Sequence, residues 1–87
     1  MESRIALIGI IVENERSVEK INAILHEHRE YIVGRMGIPY HKRGVSVISV
    51  VIDAHSDVIS SLSGKLGMLA HVNIKTIYSK IFQNENL

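Results

Sequence analysis

Cysteine is absent from the 87 residues, and with it go disulfides, thiolate metal sites and cysteine nucleophiles. An excess of one charge is absent too. Lys and Arg number 10 against 9 Asp and Glu, a formal net charge of +1, so no strong field for nucleic acid or an anionic membrane is implied. The apolar run from Ile5 to Val12 is far too short to span a bilayer and stands between Glu2 and Glu13. No small-residue cleavage site follows it, so the chain reads as cytoplasmic with no membrane partner. Repeats and low-complexity segments are not apparent either.

What is there fits one domain over residues 1–80 with a polar, frayed tail over 81–87. A core of this size leaves little net stability, and without disulfides the staple left over is oligomerisation. Ser3 to Val12 is rich in β-branched residues and predicts a strand. Asn14 is the candidate N-cap of a helix whose buried stripe is Val18, Ile21, Ile24 and Leu25. Tyr31 to Tyr40 predicts a second strand, with Gly34 and Gly37 allowing a bulge and Pro39 requiring an edge. A turn through His41-Lys42-Arg43-Gly44 leads into a third strand, Val45 to Asp53, antiparallel to the second. Ser56 is the candidate N-cap of a second helix carrying Val58, Ile59, Leu62, Leu66 and Leu69, with Gly67 as a left-handed cap. Val72 to Tyr78 predicts an edge strand. This order gives an α+β, ferredoxin-like βαββαβ fold: a four-stranded antiparallel sheet, first and third strands central, two helices on one face. The alternative is a split sheet in a swapped dimer.

A sheet with helices on one face and water on the other should alternate apolar with polar residues. The first strand instead puts Ile5, Leu7 and Ile11 on one face and Ala6, Ile8, Ile10 and Val12 on the other. The third puts Val45, Val47 and Val51 opposite Ile48, Val50 and Ile52, with Ser46 and Ser49 divided between the faces. Two helices cover one face, and the second would be a larger apolar patch than soluble monomers tolerate. The expectation is a homo-oligomer, dimer or tetramer, that hides it. A chain segment from Ser79 onward folding over that face is the competing reading.

The stretch Arg35-Met36-Gly37-Ile38-Pro39-Tyr40, with Gly44-Val45-Ser46-Val47-Ile48-Ser49-Val50, resembles the small family of iron-only hydrogenase system regulators. So do the opening Ile8-Gly9-Ile10-Ile11-Val12-Glu13 and the stretch Ser63-Gly64-Lys65-Leu66-Gly67. The resemblance covers nearly the whole chain. It implies an ACT-like or nickel-regulator-C-domain-like ferredoxin fold and a regulator rather than an enzyme, since no catalytic residue set comes with it. ACT-type domains bind small effectors, often amino acids, near the loop after the first strand. Here that loop is Glu13-Asn14-Glu15, without the glycine many of them carry. Nickel-regulator C-domains use histidines and a cysteine, a ligand set this chain does not contain.

The best polar cluster is the basic hairpin Arg35, Tyr40, His41 and Arg43, beside Lys42. An arginine fork beside an aromatic edge suits a phosphate or carboxylate effector; equally, a charged hairpin blunts a strand edge with no ligand at all. Five histidines, His26, His28, His41, His55 and His71, raise a nickel or zinc sensor as an alternative. His26 and His28 are two apart on a helix and cannot chelate one ion as an i, i+4 pair would, though either could join a histidine of another subunit. Their other reading is as solvated side chains at a helix C-terminus. Ser63-Gly64-Lys65 is no phosphate loop, because it lies inside a helix and Leu66 stands where a Ser or Thr is needed. A nucleic-acid-binding regulator is the third class; the absence of a helix-turn-helix and the balanced charge oppose it. The leading expectation is a small oligomeric regulatory module that binds a small-molecule effector or protein partner at subunit interfaces.

Overall fold

The computed structural model describes residues 3–80; the tail expected over 81–87 lies outside the described residues. The elements run β1 (Arg4–Val12), α1 (Glu15–Glu27), β2 (Ile32–Tyr40), β3 (Val45–Ala54), α2 (Ser56–Gly67) and β4 (Val72–Tyr78), with single 3-10 turns at Arg29–Tyr31 and His41–Arg43. The four strands form one antiparallel sheet in the order β2-β3-β1-β4. The two most apolar strands are therefore central, and Pro39 sits on an edge strand where its missing N–H costs no ladder bond. A register shift between Ile32 and Gly34 marks the bulge in β2.

Both helices pack on one face. Ala6, Ile8, Ile10 and Val12 of β1 and Ile48, Val50, Ile52 and Ala54 of β3 are buried beneath Ile21 and Leu25 of α1 and Ile59, Leu62 and Leu66 of α2. β1 pairs Ile8 with Val50 and Ile10 with Ile48, which lays these side chains in contiguous rows under the helices. Ser17, the one buried polar residue among the described residues, donates from Oγ to the Ala70 carbonyl at 2.8 Å, tying the start of α1 to the turn before β4. Ser63 Oγ lies 3.1 Å from Thr76 Oγ1, joining α2 to β4, which gives the Ser63-Gly64-Lys65 stretch a structural use inside the helix.

Local chemistry sets the element ends. Asn14 caps α1, its Oδ1 accepting from Arg16 N–H at 2.9 Å, with Glu15 in the first turn. The cap of α2 is His55 rather than Ser56: its ring Nδ1 accepts from Asp57 N–H at 3.3 Å, so Ser56 becomes the first helical residue. Nor does Gly67 adopt a left-handed cap. It is the last residue of α2, and Met68 follows with right-handed φ −82 and ψ −10. The left-handed positions are Gly44 at φ 67, which turns the β2–β3 hairpin, and His71 at φ 62. The His71 carbonyl accepts from Glu13 N–H at 2.8 Å, while Asn73 Nδ2 donates to Glu13 Oε1 at 3.0 Å. These bonds lock the turn into β4 against the end of β1.

Two substitutions test this packing by urea unfolding at fixed protein concentration. Leu62→Ala, at a site with no exposed surface, should cost about 2–5 kcal/mol through transfer and cavity effects. His71→Val, placing a β-branched side chain in the left-handed region, should cost about 1–2 kcal/mol; an unchanged midpoint for either variant would contradict the assignment of that residue.

Candidate functional site

Among the described residues, no element covers the side of the sheet away from the helices; most of the segment from Ser79 onward, the competing cover, lies outside the described residues. Along β1, every second residue faces outward: Ile5, Leu7, Gly9 and Ile11. Pairing sets Leu7 beside Val51 and Ile77, Ile11 beside Val47 and Asn73, and Gly9 beside Ser49 and Lys75. Strand β2 extends the rows with Gly34, Met36 and Ile38 beside Val51, Ser49 and Val47. The large apolar side chains exposed on this face run from 39% at Val47 to 66% at Ile77, with Val51 half-buried among them. The apolar residues of the same central strands under the helices, Ala6, Ile8, Ile10, Val12, Ile48, Val50, Ile52 and Ala54, are 4% exposed or less. The patch is apolar along the rows through Leu7 and Ile11, with Gly9 and Ser49 between them, and polar at its borders, where Asp53, Asn73, Lys75 and Ser79 stand. Its centre dips. Only the Lys75 carbonyl, at 3.9 Å, comes near the position of a Cβ on Gly9, so packing within the chain does not require a glycine there.

The four residues of the basic hairpin divide between the two sides of the sheet. Tyr40 pairs with Val45 on the open side. With Arg43 of the following turn it lines a recess of about 620 Å³ that also includes Ile11, Glu13, Gly44 and Val45. His41 borders a smaller hollow of about 90 Å³ with Val12, Glu15, Pro39 and Ser46. Arg35 pairs with Val50, which is buried beneath the helices, so Arg35 lies on the helix side. There its Nη2 donates to Asn22 Oδ1 at 2.9 Å. Tyr40 and Arg43 thus form one potential ligand pair at the end of the open face, and Arg35 belongs elsewhere.

The companions of Arg35 were not recognisable from the hairpin. Asn22, His26 and Arg29 line an open recess of about 260 Å³ with Arg35, over Leu25 and Ile32. The signal was present in the sequence as i, i+4, i+7 spacing, which puts Asn22 and His26 on one stripe of α1 and Arg29, in the 3-10 turn that follows, near its continuation. What the sequence did not supply was which strand lies beside that stripe. The histidines are scattered. His28 Nδ1 lies 2.8 Å from the Ile24 carbonyl at the end of α1, His55 caps α2 and His71 occupies the turn before β4. Among the described residues no group of three or more His, Asp or Glu side chains could hold a metal ion, and no helix is long and apolar enough to cross a membrane.

A ferredoxin-like α+β domain with one helix-covered face and one bare apolar face is the class that these features define. The chain belongs to the TM1266-like family, described as "Iron-only hydrogenase system regulator, putative", whose model matches residues 4–76. The structure of the uncharacterized protein TM1266 from Thermotoga maritima is 33% identical, with a TM-score of 0.86, covering 90% of this chain and 99% of that one. A formyltetrahydrofolate deformylase from Pseudomonas putida KT2440 shares the fold at 13% identity and a TM-score of 0.57, over 85% of this chain and 28% of that chain. No curated protein matches.

The division of the hairpin is checked by amide chemical shifts. Arg43→Gln should move the signals of Ile11, Glu13 and Val45 and leave Asn22 and His26 in place, and Arg35→Gln should do the reverse. Both substitutions moving the same set of signals would contradict it.

Proposed function

We propose that this protein is a small oligomeric regulatory module of an iron-only hydrogenase system, which binds rather than catalyses and whose working unit includes a second copy seated on the open sheet face. The observation that carries this reading is the row of exposed apolar side chains on that face: Ile5, Leu7, Ile11, Met36, Ile38, Val47 and Ile77. Contiguous apolar surface of this kind on a soluble domain marks an interaction site. Nine residues of β1 at about 3.3 Å each, by four strands about 4.8 Å apart, give a face on the order of 500 Å² in projection. That approaches the roughly 800 Å² of accessible surface that each partner of a standard interface buries.

A second copy is the occupant that needs no further complementarity, because a two-fold axis sets each patch against itself. A largely apolar patch within a polar border is the ordinary anatomy of such an interface. The dip at Gly9 and Ser49 supports the same reading, since its smallness serves no contact inside the chain. Regulation then follows from position. The recess with Tyr40 and Arg43 opens at the end of this face, so a facing copy would form part of its wall. An effector held there, through the Arg43 guanidinium and the Tyr40 ring and hydroxyl, would couple its binding to assembly. The family description supports a regulatory role for the module.

Light scattering after size exclusion at micromolar concentration should give a dimer or tetramer. Gly9→Val fills the dip with a residue that favours strands, and should shift the protein towards monomer while leaving its fold unchanged by circular dichroism. A monomeric wild-type protein, or an assembly indifferent to both Gly9→Val and Ile11→Lys, would refute the proposal.

A further inference from the structure

The recess between α1 and β2 carries positive charge, and no carboxylate is among its lining residues. Arg29 and Arg35 both line it, together with Asn22 and His26 of α1. Neither guanidinium is ion-paired among the described residues. Each is instead tethered to a neutral acceptor: Arg35 Nη2 to Asn22 Oδ1 at 2.9 Å, and Arg29 Nη1 to the His26 carbonyl at 3.0 Å. A tether to a carboxylate would cancel the charge. A tether to an amide or carbonyl holds the group in place and leaves the charge, together with the remaining donors of each fork, free for a ligand. Leu25 and Ile32 supply an apolar floor.

We infer that this recess is a binding site for a small phosphate-bearing molecule, its phosphate held between Arg29 and Arg35 and its apolar body resting on Leu25 and Ile32. Two guanidinium forks match the charge and the several acceptor oxygens of a phosphate dianion; a lone carboxylate would be served by one fork. The space of about 260 Å³ suits a metabolite rather than a polymer. The last turn of α1 presents the negative end of its dipole here, so the recess depends on both arginines and neither alone suffices. The site is on the helix side of β2, opposite the face proposed for assembly, and it stays accessible in an oligomer.

The test follows amide signals while the full chain is titrated with glycerol 3-phosphate, then with inorganic phosphate, at constant ionic strength held with sodium chloride. Saturable shifts confined to residues 22–35 are expected, and tighter binding of glycerol 3-phosphate than of inorganic phosphate. Arg29→Gln and Arg35→Gln should each weaken binding by about tenfold, the scale of one lost charge-assisted contact at an accessible site. Arg16→Gln, at the other end of α1, should leave it unchanged. Shifts that sodium chloride alone reproduces, or that survive in the double arginine variant, overturn the site. A response to a short oligonucleotide but not to glycerol 3-phosphate also overturns it, in favour of a nucleic-acid surface. Loss of this site leaves the assembly proposal standing, because the readouts lie on opposite sides of the sheet.

Discussion

Everything in this molecule depends on two central strands that are apolar on both sides while the helices cover only one. Strand pairing fixes the backbone of β1 against β3 and β4 and consumes its hydrogen-bonding groups, so the strands cannot rotate to hide their second face. The alternation of side chains then determines the outcome: each residue inserted under the helices is matched by a neighbour pointing the other way. Ile8 and Ile10 are buried, and Leu7 and Ile11 are left outside. At roughly 25 cal/mol per Å² of apolar surface removed from water, a second copy over this face is a favourable way to complete the core of so small a domain.

Function is arranged around that constraint. Polar groups collect at the ends and edges of the sheet, where chain turns and the outer edge of β2 present them. The β2–β3 hairpin sends Tyr40 and Arg43 to the open side, and the same strand five pairs earlier sends Arg35 to the helix side. One edge strand thereby contributes to two recesses of different character. The first would be shaped by assembly, and the second is built within a single chain from α1 and β2. A regulator that must read both its own oligomeric state and a small molecule could use such a division.

Much of this was legible in the sequence for identifiable reasons. The strands and helices follow from periodicity, and Asn14 and Pro39 mark a cap and an edge by chemistry with few alternatives. The doubly apolar character of β1 and β3 is visible residue by residue. Ser56 was the expected cap of α2 because hydroxyls are common there, yet the imidazole of His55, one residue earlier, accepts from the Asp57 N–H and starts the helix. Gly67 has the residue type of a left-handed cap, but the left-handed turn falls on His71, where the bond to Glu13 fixes the chain. The basic hairpin was readable as a cluster along the chain and not as two sides of a sheet. Arg35 and Tyr40 are five residues apart, an odd spacing that alternation puts on opposite faces, but a bulge at Gly37 would have reversed this, and the unbroken pairing with Val50 and Val45 settles it. The partnership of Arg35 with Arg29 and His26 needed the tertiary placement of α1 over β2.

The claim that the open face is covered in solution is tested most directly by methionine oxidation, because the chain carries its own control. Met36 stands on the open face at 63% exposure and Met68 lies beyond α2 at 87%. With dilute peroxide followed by mass spectrometry, Met36 should be protected increasingly as protein concentration rises while Met68 oxidises at an unchanged rate. If Met36 oxidises alongside Met68 at every concentration, no copy sits against that face, and the account fails.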